Sequence, residues 1–154
     1  MSNLIEGAPA PDFELAGADG AVRLADYAGK PLVVYFYPKD DTSGCTREAQ
    51  DFTALAGDFA KAGVSLLGVS KDSLASHAKF TAKYGLAVPL ASDPEAAMIE
   101  AYGSWVEKNM YGRKYMGIER STFLIDASGK LARIWRKVKV PGHAAEVLKA
   151  AQAL

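Results

Sequence analysis

Cysteine occurs once in this chain, as Cys45, within the run Tyr37-Pro38-Lys39-Asp40-Asp41-Thr42-Ser43-Gly44-Cys45-Thr46. An apolar stretch ends at Pro38, a polar loop follows, and the thiol arrives where a helical pattern begins. Backbone N–H groups at a helix N-terminus favour an anion, and so favour thiolate over thiol. A thiolate in such a place is a nucleophile or a redox centre, and without a second cysteine it has no intramolecular disulfide partner. Arg120 directly precedes another apolar strand pattern at residues 121–126. If that strand runs antiparallel to the one at 32–37, the guanidinium reaches the same sheet edge as Cys45. The magnitudes favour such a cation. A thiol in water is only ~3% ionised at neutral pH, and a helix terminus is worth roughly 0.3–2 kcal/mol to an anion. A positive charge within ~4–6 Å supplies the remainder that makes the thiolate dominant.

The elements that must position these groups follow from the apolar pattern. Leu32-Val33-Val34-Tyr35-Phe36-Tyr37 is a continuous β-branched and aromatic run, as expected for a central strand covered on both faces. From Cys45, apolar residues at Ala49, Phe52, Leu55, Ala56 and Phe59 predict one helix closed by Gly63. Residues 64–70 read as the next strand, so the unit is a parallel pair with a right-handed crossover. Asp72 or Ser73 caps a helix running to about Tyr84, a short strand covers 89–91, and Asp93-Pro94-Glu95 opens a helix through Ala101. A hairpin is expected near residues 14–24, another at 121–137, and a final amphipathic helix from Gly142. The order predicts an α/β sandwich with a mixed central sheet flanked by helices, as a single domain over residues 1–154.

Composition narrows the function classes. Eighteen basic and eighteen acidic residues cancel, so no global field draws in nucleic acid or an anionic membrane. One cysteine and two histidines exclude a disulfide framework and leave little material for a transition metal, so neither metal nor cofactor is expected. Residues 1–6 lack a basic stretch followed by an apolar one, and no apolar run is long enough to span a bilayer. A cytoplasmic protein is expected.

Pro38-x-x-x-Thr42-x-x-Cys45 resembles the active-site motif of the peroxiredoxins, and Ala10-Pro11-Asp12-Phe13 resembles their opening segment. Tyr35-Phe36-Tyr37-Pro38-Lys39-Asp40, Gly68-Val69-Ser70-Lys71-Asp72-Ser73 and the run from Glu119 to Asp126 look like the branch called PrxQ or bacterioferritin comigratory protein. The likeness spans nearly the whole chain. It implies a thioredoxin-like fold and a thiol-dependent peroxidase acting on hydrogen peroxide and organic hydroperoxides. By position it makes Cys45 the peroxidatic cysteine that becomes a sulfenic acid. Thr42 and the Cys45 N–H would hold the peroxide oxygens, Pro38 would shield the thiolate, and Arg120 would stabilise it. Glu48, one turn beyond Cys45, would orient Arg120, or serve only as a favourable acid in the first helical turn. Members of this branch often carry a resolving cysteine; the matching places here hold Gln50 and Thr81. The implied type is therefore a one-cysteine peroxiredoxin. Its sulfenic acid depends on an external thiol such as thioredoxin, glutaredoxin or a small thiol, or it drifts to sulfinic acid. A peroxide sensor that relays oxidation to a partner protein is the alternative. The resemblance implies a monomer, with a weak dimer as the other arrangement.

Other candidates read more plainly. His77 and His143 are expected to be solvated helix residues with no role. Trp105, Tyr111 and Tyr115, with Lys108, Arg113 and Lys114, read as a solvated loop, as one wall of the active site, or as a surface that meets a partner. Asp40 and Asp41 lack the companions of a metal site.

Overall fold

A computed structural model describes residues 4–154. The first three residues, on which part of the leader reading rests, lie outside the described residues. At the centre is β3 (Leu32–Phe36), all five of whose residues are buried. It runs parallel to β4 (Ser65–Ser70) and antiparallel to β8 (Ser121–Ile125), in the orientation that Arg120 requires. With β1 (Glu14–Gly17), β2 (Gly20–Arg23), β5 (Leu90–Ser92) and β9 (Leu131–Trp135) it forms a seven-stranded mixed sheet in the order β2-β1-β5-β4-β3-β8-β9.

Strand periodicity divides the core in two. Val33, Tyr35 and Tyr37 pack on one face with Cys45, Ala49 and Phe52 of α1 (Ser43–Ala54), Phe59 of α2 (Ala56–Lys61), Phe80 of α3 (Leu74–Tyr84) and Val147 of α5 (His143–Gln152). Leu32, Val34 and Phe36 face the other way, against Phe123, Ile125 and residues Met98 and Ile99 of α4 (Ala97–Ala101). Helices on both faces of a mixed sheet are the α/β sandwich expected from the residue pattern. Among the described residues, no helix is long and apolar enough to cross a membrane.

Several boundaries depart from the sequence reading. The helix carrying the thiol starts at Ser43, two residues early, with Thr42 in extended backbone as its N-cap. It does not continue to Gly63. Leu55 N bonds to Phe52 O, a tightened i−3 turn, and α2 sets off from there. Ser73, not Asp72, caps α3, its hydroxyl accepting from Ser76 N. The helix expected from Asp93 begins only at Ala97. Ala96 is left-handed, and the Asp93 carboxylate instead accepts from Ala97 N and Ile99 N.

The segment read as a solvated loop is an antiparallel hairpin, β6 (Trp105–Met110) and β7 (Arg113–Ile118). Tyr111 and Gly112 at its tip both have positive φ, the two-residue geometry that matches strand twist. Tyrosine is uncommon in that conformation, which is why the turn signal was weak in the sequence.

Candidate active site

The buried run of β3 delivers the chain to Pro38 at the carboxyl end of a central strand, where α/β sheets collect ligands. The loop then turns through Asp41, whose φ is +57°, to the α1 N-terminus. Cys45 is the third residue of α1 and is 2% exposed. The helical ladder opens with Thr46 N donating to Thr42 O at 2.8 Å, so the N–H groups just before it are not used by the helix.

The pairing Phe36↔Ser121 brings Arg120, the residue before β8, alongside the end of β3. Its guanidinium bridges two acids. Nη2 lies 3.4 Å from Cys45 Sγ and Nη1 donates to Glu48 Oε1 at 2.7 Å. Cys45 and Glu48 are one helical turn apart on α1, so a single planar fork reaches both. Burial lowers the Arg120 value, yet Glu48 and Cys45 together raise it above that of an ordinary guanidinium.

Glu48 shows the opposite balance. Its side chain is 2% exposed, and burial, opposed by Arg120, pushes its carboxyl up to about 7. Oε2 is buried without a hydrogen-bond partner among the described residues. A carboxyl with one charged bond and one unpartnered oxygen holds a proton readily.

Thr42 is exposed, and its hydroxyl donates to Lys39 O at 2.8 Å. With its hydrogen committed, the oxygen is left as an acceptor for a donor in the pocket. Pro38 is exposed at the start of the same loop. Lys108 of β6, on the hairpin, lies near enough to the site for its ammonium to feel the Arg120 and Cys45 charges. Its ammonium is lowered by burial and then by the Arg120 charge, with Glu119 and Cys45 pulling the other way. Its stem lies across Gly117, where a Cβ would come within 3.2 Å of Lys108 Cδ.

Both histidines differ from expectation: neither is solvated. His143, at the start of α5, lies 2.8 Å from Thr122 Oγ1 through Nε2 and packs edge-on against Phe52 and Trp135. Burial pushes it down to about 4. His77 of α3 is 4% exposed, with Nδ1 2.7 Å from Asp40 Oδ2. Helical periodicity placed both on helices but could not say that these faces turn inward. Asp40, Asp72 and His77 bring one ligand atom each to within 4.8 Å of one another, and hydrogen bonds already join Asp40 to each of the other two. A cavity of about 680 Å³ lies apart from Cys45, between the β1–β2 turn and α3. Thr81 is on its wall, whereas Gln50 is exposed on α1.

A thiol, a bridging guanidinium, free helix N–H groups and an acceptor hydroxyl form a set suited to attack on a weak O–O bond. Comparison with known proteins agrees. The AhpC/TSA family pattern matches residues 7–134. The chain is 49% identical over 156 residues to Peroxiredoxin Bcp of Xanthomonas campestris pv. campestris, covering 99% of this chain and 98% of that one. A solved PrxQ mutant from Xylella fastidiosa superposes with a TM-score of 0.93 at 40% identity, covering 99% and 98% of the two chains. The Xanthomonas campestris bacterioferritin comigratory protein, solved as a trapped intermediate/ligand complex bearing on its alkyl peroxide reduction activity, superposes with a TM-score of 0.87. It is 51% identical, over 92% and 90% of the chains.

Proposed function

This chain belongs to the AhpC/TSA family, as a thioredoxin-fold peroxiredoxin of the Bcp/PrxQ type and hence a peroxidase, and from that membership we propose a one-cysteine cycle that an external thiol completes. The observation that carries it is the Arg120 fork, 3.4 Å from Cys45 Sγ and 2.7 Å from Glu48 Oε1. The Cys45 thiolate attacks one oxygen of the hydroperoxide in line with the O–O bond. The S–O bond forms as O–O breaks, and the leaving oxygen departs as alkoxide or hydroxide and takes up a proton. Cys45 becomes the sulfenic acid, and the products are an alcohol or water.

Each neighbour has a role in this reading. Thr42 Oγ1 accepts from the peroxide, the Cys45 N–H donates to it, and Arg120 balances charge on sulfur and on the departing oxygen. Pro38 limits water access, and Glu48 holds Arg120 in orientation as a supporting residue. Residues 1–154 act as one domain, monomeric, in the cytoplasm. The sequence has one cysteine, so the oxidising equivalent leaves to another molecule. A small thiol or a thioredoxin- or glutaredoxin-type protein attacks the sulfenic sulfur and expels water, and a second thiol releases Cys45. The same solitude favours a second reading, a sensor whose mixed disulfide with a partner protein is the product.

Peroxide consumption in the presence of each thiol, with mass spectrometry of Cys45 after peroxide, tests the cycle. Turnover should disappear in Cys45→Ser; persistence would refute the assignment. Rapid cycling with thiols supports the enzyme, and a single stable protein adduct with slow turnover supports the relay.

A further inference from the structure

The loop that carries Thr42 is fastened to α3 by bonds in which Arg120 takes no part. Asp40 is the fastening point. Its backbone N–H donates to Asp72 Oδ2 at 2.8 Å. Its carboxyl meets the Tyr37 hydroxyl on Oδ1 at 2.6 Å, and the Ser76 hydroxyl and His77 Nδ1 on Oδ2 at 2.8 and 2.7 Å. The other ring nitrogen of His77 lies 3.0 Å from Ala91 O. A carbonyl only accepts, so Nε2 carries hydrogen. Nδ1 and Oδ2 are in hydrogen-bond contact at 2.7 Å, so both ring nitrogens of His77 are engaged. Burial pushes the Asp40 carboxyl up, but the bonds from His77, Tyr37 and Ser76 outweigh it and leave the value below the ordinary one. The junction therefore ties the Pro38–Thr42 loop to α3, to the loop after β4 and to β5 through satisfied polar atoms.

None of these bonds reaches Cys45. They end instead at the acceptor side of the pocket, since Thr42 Oγ1 donates to Lys39 O, the residue before Asp40. We propose that Asp40 and His77, with Ser76, are positioning residues for the peroxide step, holding Thr42 in line with the thiol. The proposal rests on the roles assigned above to Cys45 and Thr42. Thiolate stabilisation is the work of a different set of groups, the α1 N-terminus and Arg120. Loosening the junction should therefore separate two reactions of the same sulfur.

The experiment compares single-turnover oxidation of Cys45 by hydrogen peroxide with its alkylation by iodoacetamide. Alkylation needs the thiolate but has no use for Thr42. The proteins are wild type, His77→Phe, Asp40→Asn and Ser76→Ala. His77→Phe keeps ring volume and removes both ring bonds. Asp40→Asn puts an NH₂ group where one carboxylate oxygen accepts. Peroxide oxidation should slow about 10- to 100-fold in these two, the scale of a roughly 1 Å misplacement, and a few-fold in Ser76→Ala, while alkylation does not fall. Ser76→Ala removes a single bond and keeps the comparison available should the larger changes prevent folding. Equal losses in both reactions, or an unchanged peroxide rate in variants with wild-type cooperative melting, would overturn the proposal. A wild-type thiol that alkylates but ignores peroxide would overturn the functional reading, and this one with it.

Discussion

Replacing Glu48 by glutamine should change how stability depends on pH, with a sign set by burial rather than by the ion pair. The Glu48 carboxyl is raised from its ordinary 4.5 to about 7, first by burial and against the pull of Arg120. The folded protein thus binds this proton more tightly than the unfolded chain. Its contribution is fully present below pH 4.5 and is lost as pH rises through 7. At about 1.4 kcal/mol for each pH unit, the span amounts to roughly 3 kcal/mol. Glutamine cannot titrate, so the stability of Glu48→Gln relative to wild type should rise by about that amount between pH 4.5 and 8. A constant offset is superimposed, because the new NH₂ or carbonyl meets the unpartnered environment of Oε2. Urea denaturation of both proteins at half-unit pH steps measures the difference, and groups common to both cancel. A flat difference would refute the reasoning. A relative stability that falls with pH would mean that Arg120, rather than burial, governs this carboxyl.

Two further outcomes follow from the same geometry. A Cβ at Gly44 would sit 3.2 Å from Arg120 Nη2, so Gly44→Ala should slow peroxide oxidation about 10-fold while leaving stability equal or up to ~1 kcal/mol higher; stopped-flow oxidation and thermal melting check the opposite signs. Burial pushes His143 from 6.5 to about 4, so the unfolded chain binds that proton first, and stability present above pH 6.5 is lost as pH falls through 4. His143→Gln should remove roughly 1–2 kcal/mol of that acid sensitivity, read as a shallower fall in melting temperature between pH 6.5 and 4.

The parts legible in the sequence were those written in local periodicity. Tyr35 and Phe36 are neighbours that pack on opposite faces of the sheet, and the unbroken apolar run of β3 signals that both faces are covered. The position of Cys45 at a helix start followed from the polar loop and from the spacing of Ala49 and Phe52. What escaped had no local signature. Leu55 is as apolar as its neighbours, so nothing in the pattern marks the turn that separates α1 from α2. His77 shares a face of α3 with Phe80, but a polar side chain gives no apolar signal there, and its bonds to Asp40 and Ala91 O make its burial tolerable. Lys108 reads as a surface charge until the hairpin folds it over Gly117.

By itself the sequence determined the place of Cys45 at a helix N-terminus, the neighbouring Thr42 and the central strand, because each depends on residues within a few positions of one another. Tertiary structure decided what surrounds the sulfur. Arg120 is 75 residues from Cys45 and His77 is 37 from Asp40, distances that only strand register and helix docking can close. The β3–β8 pairing fixes which side chain reaches the thiol. A slip by one residue would turn Arg120 to the opposite face of the sheet. The chemistry available at Cys45 is therefore local in origin, and its tuning belongs to the fold.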